Sequence, residues 1–136
     1  FCFTTAAAAS RQGTSSNRIF DQITDFTFGE DRIDLPKTVQ YFGYLGSISG
    51  PLISDSQLTN LWANAELATR PGEKGFKANM LGCFEVNDSG ITRSFVAVND
   101  RDKTYGQGDM IIEMTGFTGA ASFQGALQDQ YAMTFV

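Results

Sequence analysis

The chain has 136 residues, a net charge of −5 and no histidine. Its length suits one domain with a real core, its acidity argues against nucleic acid and anionic membranes as partners, and the absent imidazole removes a Ser-His-Asp triad, the commonest general base and His-ligated zinc. Apolar residues make up 42% and charged residues 18%, as in a globular chain, yet no apolar run reaches the roughly 20 residues that span a bilayer, so no membrane insertion is expected. Cys2 and Cys83 are open to pairing or to staying as two thiols, and they are too few for an all-cysteine zinc site. The chain starts at Phe1 without Met, which predicts a processed product or an excised fragment, and its first residues show no signal-peptide pattern.

Phe1-Cys2-Phe3 reads as the end of a strand, and Thr4 to Asn17, small and polar, as a loop. In Asp21 to Pro36, apolar Ile23, Phe26, Phe28, Ile33 and Leu35 alternate with acids. Two strand-like runs, Gln22 to Phe28 and Arg32 to Leu35, flank a turn at Gly29-Glu30-Asp31, and Pro36 stops the second. Lys37 to Pro51 reads as an irregular strand punctuated by Gly43, Gly46 and Gly50. Ser54 to Arg70 is the clearest helix, with Ser54 or Asp55 as N-cap and one stripe of Leu58, Leu61, Trp62, Ala65 and Ala68. Pro71-Gly72 ends it, and Pro71 to Lys77 reads as a surface loop.

Asn87-Asp88-Ser89-Gly90 joins Cys83–Val86 to Ile91–Val98 as a hairpin. Phe95-Val96-Ala97-Val98 does not alternate, which predicts a strand buried on both faces. Asn99 to Asp109 is a long polar connection, and Met110 to Thr115 returns as a strand. Tyr131 to Val136 is apolar enough for a last strand. A middle helix with strands on either side predicts an α+β fold, mostly β and mostly antiparallel, in a single domain over residues 1–136.

Two acidic clusters could carry chemistry. The acids of Asp21 to Asp34 suit either a solvated strand edge protected against edge pairing or a hard-cation site, since calcium takes about six to eight oxygens. The second cluster is Asn99, Asp100, Asp102 and Asp109. It lacks the glycine and terminal glutamate of an EF-hand, and Arg101 and Lys103 interleave, so it suits a loop of Asx-turns or a looser cation site. Glu85, Glu113 and the aspartates could supply a hydrolase carboxylate pair if any two of them meet. Gly106-Gln107-Gly108 lacks the strand-turn-helix context of a phosphate loop. Tyr41, Phe42, Tyr44 and Tyr105 suit core packing or a carbohydrate platform.

The pattern Asp21, Ile23, Asp25, Phe26, Gly29, Asp31, Ile33, Asp34, Leu35 resembles the segment that follows the calcium-binding nonapeptide repeats of RTX proteins, such as the C-terminal region of serralysin-type secreted proteases. Val98-Asn99-Asp100, then Asp109 and a strand ending Thr115-Gly116-Phe117, is similar to C-terminal domains of RTX-like bacterial surface and secreted proteins. The Gly-Gly-x-Gly-x-Asp repeats themselves are absent from this chain. The resemblance implies a β-sandwich-like sheet or β-roll cap with one helix, calcium as cofactor, Asp21 and Asp31 as foremost ligands, and Asp100, Asp102 and Asp109 next. It also implies a non-catalytic capping module, an upstream repeat domain of the same polypeptide as partner, type I export and an extracellular or cell-surface location. An adhesin or carbohydrate-binding module with a glycan or cell-surface ligand is the second reading. A small carboxylate-dependent hydrolase is the third.

Overall fold

The computed structural model describes residues 12–35, 38–67, 69–119 and 122–135. A short antiparallel hairpin, β1 (Gln12–Thr14) and β2 (Asn17–Ile19), precedes the main sheet. That sheet contains β3 (Asp21–Ile23), β4 (Gln40–Ser49), β5 (Met80–Asp88), β6 (Ile91–Val98) and β7 (Met110–Met114), in the order β3-β7-β6-β5-β4. Two helices, α1 (Asp55–Asn64) and α2 (Phe123–Thr134), complete it. The chain is thus α+β and mostly β.

The β5–β6 hairpin lies inside the sheet, flanked by β7 and β4. Ser89 and Gly90 both take positive φ, 51° and 86°, the pair of left-handed residues that a two-residue hairpin turn of matching twist needs. Pairing then runs without a break from Asp88↔Ile91 to Leu81↔Val98. β7 adds antiparallel to β6. The two outer strands add differently: β3 lies parallel to β7, and β4 lies parallel to β5. The sheet is therefore mixed, antiparallel at its centre and parallel at both edges. The β4–β5 pair is the parallel one that α1 bridges, since parallel neighbours need a long crossover.

Strand alternation distributes the core over both faces. Leu81, Cys83, Val96, Val98, Met110, Ile112 and Met114 face one side, where Phe26, Phe28, Ile33 and the Phe123, Ala126 and Leu127 stripe of α2 cover them. Phe84, Val86, Phe95, Ala97 and Ile111 face the other, under Ile53, Phe76 and the Leu58, Leu61 and Trp62 stripe of α1. Phe84 and Phe95, a directly opposed cross-strand pair, stack with centroids 4.8 Å apart. Phe95 to Val98 are buried on both faces, as the missing alternation predicts.

Several expectations shift. α1 is capped by Ser54 as predicted, through a reciprocal box in which Gln57 N–H donates to Ser54 Oγ and Ser54 N–H donates to Gln57 Oε1. It stops at Asn64, not Arg70, because Ala65 takes an extended ψ of 135° and the chain folds back. Gly75 N–H then donates to Ala65 O, and Phe76 N–H donates to Trp62 O, so Phe76 is buried inside the expected surface loop. The final strand is instead a second helix. Ser122 Oγ accepts from Gly125 N–H as its N-cap, and Phe123, Ala126, Leu127 and Tyr131 fall at helical spacing.

The arms of the Asp21–Pro36 unit do not pair with each other as a β-turn-β. Both run parallel to later chain, at Asp21↔Ile112, Thr27↔Thr118 and Ile33↔Phe135. The turn is where it was expected, with Gly29 at φ 88°. Expectations for Phe1 to Phe3, and the fate of Cys2, lie outside the described residues. Cys83 is buried, and burial pushes its thiol up to about 12, with Tyr41 as its hydrogen-bonding neighbour.

Candidate functional site

The acidic loop between β6 and β7 is organised by its own last carboxylate. Asp109 accepts from Asp100 N–H (2.9 Å) through Oδ1 and from Gly106 N–H (2.8 Å) through Oδ2, tying both ends of the loop together. Asp100 Oδ1 accepts from Asp102 N–H at 2.8 Å, and Asp102 Oδ1 accepts from Thr104 N–H at 3.1 Å. These are successive Asx-turns, the local bonding that aspartates favour. Below them, buried Asn99 donates to Phe76 O at 2.9 Å and anchors the loop to the core.

Asp102 and Asp109 are shifted in opposite directions. The backbone N–H of Thr104 holds Asp102 below its ordinary 3.8. Burial pushes Asp109 up to about 6, the two backbone donors only partly offset this, and the Asp100 charge adds to it. The Trp62 indole N–H lies beside the Asp109 carboxylate and helps it slightly, although it falls short of good hydrogen-bond geometry.

Trp62 links this loop to a second polar centre. Its ring meets Tyr105 edge-on at 5.5 Å. The Tyr105 hydroxyl donates to Asp55 Oδ1 at 2.9 Å, and Arg18 grips the same carboxylate with Nε and Nη2, each at 2.8 Å. This fork–fork pair is the strong form of ion pair, and it raises the Arg18 guanidinium above its ordinary value. Asp55 N–H also donates to Ser15 O, and Arg18 N–H donates to Ile53 O. The β1–β2 hairpin is thereby docked on the start of α1. Arg18, Asp55 and Tyr105 are far apart in sequence, and nothing in their local patterns announces the contact. Glu113 was easier to suspect, as a lone charge inside Met-Ile-Ile-Glu-Met. It is buried and receives Arg93 at 2.6 and 3.1 Å, with the guanidinium 5.3 Å above the Phe95 ring.

Among the predicted ligands, Asp100, Asp102 and Asp109 share one loop, each accepting backbone N–H groups within it. Asp31 sits elsewhere, closing its own turn: its Oδ2 accepts from Thr27 N–H at 2.8 Å. Asp21 opens β3, half-buried, opposite Ile112. Asp25, Glu30 and Asp34 are exposed along the same segment and form an acidic rim. Among the described residues, no three acidic, Cys or His side chains converge as a metal-binding group. Calcium wants about six to eight oxygens, so by itself this arrangement fits the ion only as a donor of one or two rim carboxylates.

Glu85 and Glu113 do not face each other. Glu85 shares the parity of Cys83 on the α2 side, and Glu113 that of Arg93 and Phe95 on the α1 side, so the sheet stands between them. The four aromatics also separate. Phe42 is buried under α1, and Tyr105 closes on Asp55, whereas Tyr41 and Tyr44 stay half-buried on the α2 side. They line an open cleft of about 630 Å³ along the outer edge of β4, between Glu66, Leu67, Thr69 and Pro71 on one side and α2 on the other.

Comparison with protein-family profiles, with characterised proteins and with solved structures finds no match to this chain.

Proposed function

We propose that this chain is a non-catalytic, calcium-linked module that caps the C-terminal end of a parallel repeat array in an RTX-like extracellular or cell-surface protein. The observation that carries this reading is the parallel rim. Asp21 pairs with Ile112 and Thr27 with Thr118 at one constant offset, all in the parallel sense. Thr115 N–H donates to Ile23 O, Thr118 N–H to Phe26 O, and Phe28 N–H to Thr118 O. β3 ends the sheet order, so among the described residues its outer edge carries no strand. A solenoid of parallel strands needs a terminal unit that continues its direction and shields its open end. A parallel edge followed by buried Phe26, Phe28 and Ile33 supplies both.

The acids on that rim repel one another until a cation bridges them. In this reading, Asp21 and Asp31 are rim donors and the repeats supply the remaining oxygens. Binding stabilises the folded form by RT ln(1 + [L]/Kd), about 2.7 kcal/mol at a hundredfold excess over Kd. Low calcium before export and high calcium after it would then time folding.

The test joins an array of Gly-Gly-x-Gly-x-Asp repeats to the N-terminus of the chain. The expected result is folding of the array at lower calcium than the array alone, as a monomer, with Asp21→Asn and Asp31→Asn removing part of the gain. An unchanged calcium midpoint and oligomeric state, with and without the module, would overturn the reading.

A further inference from the structure

We propose that the cleft along the outer edge of β4 binds a short, uncharged oligosaccharide. The proposal starts from an irregularity in the strand. Pairing with β5 slips between Tyr41 and Gly43 and again between Tyr44 and Gly46, two bulges within a few residues. In a regular strand, Tyr41 and Tyr44 would point to opposite faces, because their spacing is odd. The first bulge adds one residue and re-aims Tyr44, so both rings stand on the α2 side. Gly43 makes this possible with φ 125°, a conformation that L side chains rarely adopt. Space is not the reason for that glycine, since a Cβ there would meet nothing within 4 Å. The backbone at the cleft floor is therefore bare.

The walls have the chemistry of sugar recognition. Tyr41 and Tyr44 line the cleft as half-buried rings, Tyr41 tilted against Tyr131 at 5.8 Å, while Gln124 and Gln128, both exposed and one helical turn apart, offer amides that donate and accept together. The volume of about 630 Å³ lies within the range of ~300–1,000 Å³ that ligand clefts occupy. Charge selects the class of sugar. Among the described residues of the lining, Glu66 is the one charged side chain, and its Oε1 already accepts from Gly72 N–H at 2.7 Å. With a net charge of −5 on the chain, an anionic glycan is disfavoured. The two bulges also argue against an added peptide strand, because they interrupt the regular edge that ladder pairing requires. β4 and β3 stand at opposite ends of the sheet order, so this site and the proposed capping edge do not compete and can fail separately.

The experiment is a titration of the ¹⁵N-labelled chain with cellotriose, maltotriose, xylotriose and β-1,4-galactotriose, followed by amide shifts, with an uncharged Thr-Val-Thr-Val peptide and galacturonic acid trimer alongside. The expected result is saturable shifts at Gly43, Tyr44, Gln124 and Gln128 with at least one neutral sugar. Gln124→Ala and Gln128→Ala together should weaken binding about tenfold, the sum of two modest hydrogen bonds. Tyr44→Phe should keep binding and Tyr44→Ala should lose it. Since Tyr44 also packs on the core, the exposed glutamine variants carry the test if Tyr44→Ala unfolds. Absence of shifts with all four sugars, or saturation by the peptide or the acidic trimer in their place, overturns the proposal, as does full binding by the double glutamine variant.

Discussion

Replacing Asp109 with asparagine tests how the loop between β6 and β7 is held. The native carboxylate is 5% exposed and accepts two backbone N–H groups, yet burial lifts it from an ordinary 3.8 to about 6. A raised acid means that the folded chain holds this proton more tightly than the unfolded chain does. Between pH 4 and 6 the folded state therefore binds more protons, and stability falls as pH rises through that window. A displacement of about two pH units corresponds to at most ~3 kcal/mol, and water entering the loop reduces this, so about 1–3 kcal/mol is expected. Asparagine cannot ionise, and its amide keeps one acceptor for the two donors. Between pH 4 and 7 the unfolding free energy from urea titrations should change in favour of Asp109→Asn by that amount relative to the native chain. The single tryptophan gives a local readout, because Trp62 lies beside this carboxylate. Its native-state emission should titrate near pH 6 and become flat in the variant. Parallel stability profiles for the two proteins, or a featureless Trp62 signal between pH 5 and 7, would refute the assignment.

Three further outcomes follow from the packing. Asp55→Ala strips Arg18 and Tyr105 of a shared acceptor, so it should cost about 2–3 kcal/mol. A cycle with Arg18→Met should show losses that fail to add, as for residues sharing one network, and additive losses would contradict the network. Arg93→Met leaves buried Glu113 without its guanidinium. A loss of about 2–4 kcal/mol in chemical denaturation is expected, restored in part by adding Glu113→Gln, because the unpaired charge is the main penalty. Gly116→Ala should lower the melting temperature, since φ is 60° and the new Cβ would press on Thr24 O. The cost is expected above ~1 kcal/mol, and a neutral result would mean that the β3–β7 crossing is looser than described.

The candidate site was legible in its members but not in its assembly. Asp100, Asp102 and Asp109 read as oxygen donors spaced for a loop, and they do share one, but they spend those oxygens on backbone N–H groups. Which carboxylate becomes buried depends on how the loop closes over Trp62, a contact across the fold. The Arg18–Asp55–Tyr105 centre left no trace in any window of neighbouring residues. Conversely, the spacing of Phe123, Ala126, Leu127 and Tyr131 was already helical, while Gly125 and the polar residues between obscured it. Short helices owe their stability mainly to the surface that receives their apolar face, and here that surface is built from distant strands.

By itself the sequence determined the elements governed by near neighbours. Ser54 or Asp55 starts α1, Asn87-Asp88-Ser89-Gly90 turns the central hairpin, and the unalternating Phe95 to Val98 must lie inside, because caps, turns and periodicity act over a few residues. Only the tertiary structure decided that β3 and β4 join as parallel edges, which helix covers which face, and that Tyr41 and Tyr44 share one side. Those outcomes depend on pairing and burial between residues tens of positions apart, where register and packing, not local preference, choose the neighbour.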